Sequence, residues 1–397
     1  MKISIGTSHL QNRQSYHAGQ EAAEKAIQAL GKSPNFLFIF DTPDHDHFQM
    51  LEGIKSIAGT VTSAGFPAGG VIEYSSIYTS KTVAVMAFYF ENARIFVEYN
   101  TGAAGASKET AEYLSKKILS RLMRDDSDGY FPILFLFGDN RINNGKIIHN
   151  LSDTLSPLCP IIGAGVNGLE FCGPYADYQI RDYSAVSVLF QSKSKAGVGV
   201  AHGWYPHGKS VVATRTDDNR IYELNGRLAF DVYKEMWSDI FPDIKNKSFN
   251  EIQHIFYNFA VHHPIGLAQL MGEYLIRDPY EVKEDGSILC GGDVPENSVL
   301  HFMSGDNNSL IIGTKNATRN ALQSVAKKDL IGSLYFDCIT RHSLPGYNFQ
   351  REIFSIRQGL GSDIPIIGVL THGEIATPET GPVLLHNKAI AISVFSG

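Results

Sequence analysis

Three short runs of unbroken apolar residues, 36–40, 133–137 and 334–336, punctuate the chain. Each is aromatic and bounded by polar residues, the pattern of a strand covered on both faces. Each soon reaches an aspartate: Asp41, Asp139 and Asp337. Downstream of each comes a Gly-x-x-x-x-Gly turn, at 65–70, 163–168 and 368–373. Ile161-Ile162 and Ile366-Ile367 lead into the second and third, so a strand is expected to run into each turn. A further apolar strand follows, at 83–90, 185–190 and 389–395.

Helix-like periodicity precedes each apolar run, over 15–30, 107–124 and 316–330. In the second, Ser107 caps, and Thr110, Ala111, Leu114, Ile118 and Leu122 recur at helical spacing. Opening strands are expected at 2–7, 94–99 and 299–303. The spacing predicts an α/β protein of mixed sheets. A β-α-β-α-β-β unit occurs three times in it, over about 1–91, 93–192 and 298–397. The stretch 193–297 does not fit the unit and reads as an insertion.

Composition narrows the class. The 397 residues carry 34 Lys and Arg against 41 Asp and Glu, a net charge of −7. That balance argues against a nucleic-acid-binding module and against a polybasic membrane anchor. The apolar fraction of 43% is that of a folded globular protein, and the length suits two or three domains. Four cysteines, none in Cys-x-x-Cys, give neither a zinc ribbon nor a disulfide framework. The first residues lack a signal peptide's apolar core, and no apolar run approaches the roughly 20 residues of a membrane helix. A cytoplasmic location is expected.

Two strings mimic nucleotide sites. Residues 163–168 match Gly-x-Gly-x-x-Gly, but Gly173-Pro174 forbids the helix whose N-terminus would hold a pyrophosphate. Residues 203–210 match Gly-x-x-x-x-Gly-Lys-Ser, but Pro206 removes a phosphate-binding N–H and the β-branched run 210–216 reads as a strand. Asp44-His45-Asp46-His47 places four metal-ligand types together, in what reads as a solvated loop. His262-His263 ends a helix-like stretch over 250–261, where the helix dipole favours histidine. A non-covalent haem on one histidine stays open.

The densest polar cluster lies near the C-terminus: Thr371-His372-Gly373-Glu374 in the third glycine turn, His386-Asn387-Lys388, and Arg341-His342. Ligands of open α/β sheets bind outside the carboxyl ends of strands. There Arg341 is suited to grip a carboxylate bidentately, and Glu374 to meet an ammonium group, as an amino acid requires. The alternative is an Arg341–Glu374 pair that fixes a loop.

These residues carry a resemblance. The run Pro365-Ile366-Ile367-Gly368, then His372-Gly373-Glu374-Ile375, then Leu385-His386-Asn387, with Cys338 and Arg341, resembles the closing signature of FIST domain proteins, a prokaryotic sensory family. His202-Gly203, Pro206, Gly208 and Ile221-Tyr222-Glu223-Leu224-Asn225-Gly226 resemble the end of the family's N-terminal domain. The first glycine turn departs from the family, lacking a Glu after its last glycine, and Asn225 stands where Asp is usual. The resemblance implies a FIST N-terminal domain over 1–225 and a FIST C-terminal domain over 226–397. It implies a small-ligand sensor, not an enzyme, with amino acids as the proposed class and no resident cofactor. Arg341, His372, Gly373, Glu374, Asn387, Gly163, Gly168, His202 and Thr216 form its expected ligand set. Since the resemblance runs to Gly397, it implies signalling through a separate output protein such as a histidine kinase or cyclase. Two alternatives remain: a haem-based nitric oxide sensor, as some members are, or an enzyme on small amino or carboxylic acids using Glu374 or His372 as acid/base.

Overall fold

The structure, a computed structural model, describes residues 1–10, 14–101, 107–124, 129–166, 172–238, 241–245, 247–269, 272–361 and 363–397. It opens with β1 (Lys2–Ser8), α1 (Ser15–Leu30), β2 (Phe36–Asp41), α2 (His47–Ala58), β3 (Ser63–Pro67), the hairpin β4 (Gly70–Glu73) and β5 (Ser76–Tyr78), and β6 (Val83–Tyr89). Then come β7 (Ala93–Thr101), α3 (Ser107–Leu122), β8 (Phe131–Asp139), α4 (Asn144–Leu155), β9 (Ile161–Val166), the hairpin β10 (Tyr175–Ala176) and β11 (Gln179–Ile180), β12 (Ser184–Ser192) and β13 (Ala196–Ala201). After an inserted stretch follow α5 (Asn307–Ala321), β14 (Leu330–Cys338), the short α6 (Ile339–His342), α7 (Phe349–Leu360), β15 (Ile366–Thr371), the hairpin β16 (Glu374–Ala376) and β17 (Leu384–His386), and β18 (Ile390–Ser396).

Local chemistry sets the element ends. The α1 helix stops at Gly31, whose φ of 66° admits the left-handed turn that lets its N–H reach the Ile27 and Gln28 carbonyls. Asp46 caps α2 by accepting from the Gln49 N–H. The Asp44–His47 run is therefore not a solvated loop. His45 is buried against the Ser15 hydroxyl, and His47 Nδ1 lies 2.6 Å from the Asp41 carboxylate.

Three sheets share one plan. Their strand orders are β1-β6-β2-β3-β10-β11, β7-β12-β8-β9-β16-β17 and β13-β18-β14-β15-β4-β5. In each, the central strand pairs in parallel with the strand that follows it, and a glycine of that strand lies opposite its midpoint. The pairs are Ile39 with Gly65, Leu136 with Gly163, and Tyr335 with Gly368. Any Cβ at Gly65 or Gly163 would stand within 1.8 Å of the partner's carbonyl oxygen, so glycine is required. These first glycines therefore sit inside strands, and the turn comes later than the spacing suggested. Each sheet's outer hairpin comes from a different segment: β4–β5 joins the third sheet, β10–β11 the first, and β16–β17 the second.

Alternate residues of the central strands face opposite ways, as the strand period demands. Phe36, Phe38 and Phe40, with Phe135, Phe137 and Phe336, face a common core. The Phe38 ring lies 4.9 Å from Phe135, and Phe137 lies 6.0 Å from Phe336, so all three sheets meet there. Leu37 and Ile39 face α1 and α2, Leu134 and Leu136 face α3 and α4, and Tyr335 faces α5 and α7. The aspartates ending these strands, Asp41, Asp139 and Asp337, are fully buried.

The third unit departs from the expected order. The strand at 299–303 forms (Val299–Ser304), but it pairs with Tyr205–Asp217 and Ile265–Ala268 in a separate sheet. The place beside β18 is taken by β13. Its small residues carry no apolar signal, yet they let α5 approach: a Cβ at Gly197 would fall 1.9 Å from the Ala321 carbonyl. The helix expected at 316–330 is α5, ending at Ala321. The helix-like stretch 250–261 is two short helices, Phe249–Ile252 and Phe256–Ala260. The phosphate-loop mimic lies mostly in the strand Tyr205–Asp217, with no helix after it. The second glycine of the dinucleotide mimic, Gly168, lies outside the described residues.

Candidate functional site

At the carboxyl ends of β14 and β15 the chain makes two abrupt changes of direction. Cys338 ends β14 and caps α6. Thr371 ends β15, and Gly373, at φ 103°, turns the chain into β16 within two residues. Opposite, Lys388 takes φ 50° and turns the chain from Asn387 into β18. The insertion packs beside these turns and with them lines an open cavity of about 400 Å³. Cys338, Ile339, Thr340 and Ser343 form one wall, His372, Gly373 and Asn387 a second. The insertion supplies Tyr257, Asp278, Tyr280 and Gly291.

A polar chain runs along this wall. Lys388 is fully buried, with Nζ 3.1 Å from Asp278 Oδ1, donating to the Val261 carbonyl at 2.9 Å and lying 3.4 Å from Thr340 Oγ1. Thr340 Oγ1 lies 3.1 Å from Cys338 Sγ. The Glu374 carboxylate is buried and accepts from the Thr371 hydroxyl at 2.9 Å and the Ala389 N–H at 3.3 Å.

Burial governs the electrostatics. It pushes Glu374 up to about 8, against which the Thr371 hydroxyl pulls only in part. It pushes the Cys338 thiol up to about 12, with the Glu374 charge acting in the same direction. Asp278 is also raised by burial, although Lys388 draws it back. The cavity thus offers a carboxylate, a neutral thiol, hydroxyls and an amide, beside two exposed tyrosine rings.

The expected ligand set divides. His372, Gly373 and Asn387 line the cavity, and Glu374, the next residue after Gly373, is buried and does not line it. Arg341 does not face the cavity. Its buried guanidinium donates to the carbonyls of His202, Lys388 and Leu310, and binds Glu352 with Asp337 nearby. It therefore grips a side chain of α7, not a ligand, and its pair is not with Glu374. His202 is spent on the fold, with Nε2 at the Tyr274 carbonyl and Nδ1 accepting from the Trp204 N–H. Gly163 lies inside β9, and Thr216 stands opposite Ile221 in a hairpin of the insertion. Asp278, Tyr257, Tyr280 and Thr340 escaped the sequence reading. They lie far from the glycine turn along the chain, and only Cys338, two residues before Thr340, carried a signal.

A haem needs an axial ligand in an apolar, plate-shaped space. His372 is the imidazole on this wall, and it stands among Asp278, Thr340, Ser343 and Asn387. That polar lining does not fit the group.

Two family models match in tandem: the FIST N domain over residues 35–227 and the FIST C domain over 229–377. An uncharacterized protein of Methanocaldococcus jannaschii is 24% identical over 299 residues, 72% of this chain and 57% of that protein. The chain thus spans little more than half the length of this relative. Among solved structures, a chorismatase aligns over 92% of this chain and 93% of its own at 8% identity and a TM-score of 0.33. The cyanuric acid hydrolase of A. caulinodans aligns over 48% of this chain and 72% of its own, at 11% identity and a TM-score of 0.28. At such scores neither bears on the chemistry of the cavity.

Proposed function

The chain belongs to the FIST family, whose domains are sensory domains of signal transduction, and from that premise we propose that it senses a small amino-acid-like ligand bound in the cavity at the ends of β14 and β15. The observation that carries the reading is the composition of that cavity. The Asp278 carboxylate, flanked by the Tyr257 and Tyr280 rings, suits an ammonium group. The Asn387 amide and the Thr340 and Ser343 hydroxyls suit the hydrogen-bonding of a carboxylate. Arg341 has no part in this version of the site.

The rest of the proposal follows the family. The ligand state passes to a separate output protein such as a histidine kinase or cyclase, and the protein works in the cytoplasm. The border between its N- and C-terminal halves falls near residue 225. The three sheets are copies of one unit, a reading supported by their common strand order and by the matching glycine register.

A thermal-shift screen against the twenty amino acids tests the ligand class, since a ligand of the folded state raises Tm by mass action. A binding amino acid is expected, with affinity about tenfold weaker in Asp278→Asn, the loss of one charged hydrogen bond. No shift with any amino acid, or equal affinity in Asp278→Asn, would overturn the reading.

A further inference from the structure

We infer that the outer edge of β7 is an interface, and that its occupant is β7 of a second copy of this chain, running antiparallel about a two-fold axis at Phe96. Among the described residues, β7 ends the second sheet and pairs with β12 alone. Its nine residues make it the longest strand at either end of the three sheets. Residues 93–100 are half-buried throughout. The corresponding strands of the other sheets, β1 and β13, are buried at half their positions or more.

The hydrogen bonding of the sheet fixes which backbone groups point outward. The Leu134 N–H donates to the Pro160 carbonyl, so Leu134 is turned toward β9 and its neighbours Ile133 and Phe135 toward β12. Their partners are Phe190 and Val188, which leaves Leu189 and Ser187 for β7, opposite Phe96 and Glu98. The Ser187 hydroxyl donates to the Glu98 carbonyl at 3.0 Å, in keeping with that direction. Ile95, Val97 and Tyr99 therefore aim their N–H and C=O groups away from the sheet. Among the described residues no hydrogen bond meets those groups. Such a row is a template for another strand.

Edges that resist pairing carry lysine, proline or a bulge. Residues 93–101 contain neither Lys nor Pro, and their register against β12 is unbroken. Their two charges, Arg94 and Glu98, are opposite in sign and share the face that carries Phe96. A two-fold pairing centred on Phe96 sets Arg94 of each copy opposite Glu98 of the other. It also sets Ile95 opposite Val97, so that outward backbone groups meet outward groups. Arg94 and Glu98 then form the closer, non-hydrogen-bonded kind of pair, where opposite charges attract and like charges repel. A pairing centred on Val97 would instead set Arg94 against Asn100 and Phe96 against Glu98, so the charges select the first register.

The side chains leave room for this partner. Both bonds from Arg121 go to Glu98 Oε1, which leaves Oε2 for Arg94 of the other copy. Ile95, Val97 and Tyr99 on the core face and Phe96 on the helix face are only partly buried, and an added strand would cover them. The interface is isologous, the commonest form of self-association. It does not depend on what the cavity binds.

Sedimentation velocity of the full chain over a dilution series tests the inference. A reversible dimer is expected, with Kd weakened about tenfold in Arg94→Glu and equally in Glu98→Arg, since each sets like charges opposite one another twice. An equimolar mixture of the two variants should recover the parent affinity, because opposite signs then meet at both contacts. Val97→Pro should abolish the dimer, for it removes an outward N–H and leaves the β12 ladder intact. In the parent, amide exchange over residues 93–100 should slow as concentration rises. The inference falls if the parent is still monomeric at about 100 μM, if Val97→Pro dimerises normally, or if mixing folded charge variants restores nothing. Should a charge variant not fold, Val97→Pro and amide exchange in the parent decide it: a dimer whose 93–100 amides exchange as fast as the monomer's refutes it.

Discussion

Arg341 and Glu352 form an ion pair from which water is wholly excluded, between the short helix after β14 and the long helix α7. The hydroxyls of Thr314 and Tyr347 donate to the same carboxylate. Burial draws the guanidinium's pKa down, but the Glu352 and Asp337 charges outweigh it and push the pKa up. Removing one partner of such a pair strands the other's charge. Arg341→Ala should cost about 3–5 kcal/mol. Urea denaturation of the variant, read as a lower midpoint at unchanged slope, checks this. If stability is kept and only ligand affinity falls, the arginine is a ligand residue after all.

Glu374 ties stability to pH. Its carboxyl moves from 4.5 in the open chain to about 8 when folded. Between those values the folded state keeps a proton that the unfolded state releases, so stability is highest below 4.5 and is lost as pH rises through 8. The slope from one such group is at most about 1.4 kcal/mol per pH unit. Asp278 and Asp337, also raised by burial, act in the same sense. Denaturation series from pH 5 to 8 should show the decline, shallower in Glu374→Gln. An identical slope in both proteins would refute the assignment.

Gly163 and Gly65 stand where a side chain would strike the neighbouring strand's carbonyl oxygen, at 1.8 and 1.7 Å. Gly163→Ala should therefore destabilise by at least the 1–3 kcal/mol typical of overpacking, since backbone yields less than a side chain does (about). Gly31→Ala is the control: no atom lies within 4 Å of the added Cβ, and only its φ of 66° is strained. Thermal melts of the two variants should rank Gly163→Ala well below Gly31→Ala.

Phe38 touches rings from two sheets, with Phe135 at 4.9 Å, Phe137 at 5.7 Å and Phe88 at 5.6 Å. Phe38→Ala should cost about 3–5 kcal/mol. Because none of the rings that touch Phe38 lines the cavity, the variant that still folds should bind any ligand found with parent affinity, as titration calorimetry would show.

The strands that were legible in sequence are those covered on both faces, such as β2 and β8, whose unbroken apolar runs admit no other reading. The opening strand of the third sheet was not legible, because Ala196–Ala201 achieves its fit with small residues that resemble a loop. At the site, Gly373 announced a turn, and His372 and Asn387 followed from it. Arg341 misled for a physical reason: a guanidinium at a strand end looks the same whether its carboxylate is a ligand's or that of Glu352, which the fold supplies from a helix eleven residues later. Asp278 and the tyrosines come from the insertion, whose approach to the third sheet no local pattern encodes.

The traded hairpins make the three sheets interlocking parts. The first sheet finishes its edge with β10–β11, the second with β16–β17, and the third with β4–β5, so each waits on a segment that another segment precedes or follows. The first sheet is complete by Ile180, but the second and third have no complete hydrogen-bonded border until the C-terminal strands are in place. A fragment cut near residue 225 would present the orphaned β4–β5 and β13 of the third sheet beside a second sheet with a bare edge. The last two sheets thus close across sequence separations of hundreds of residues, a slow, high-contact-order route.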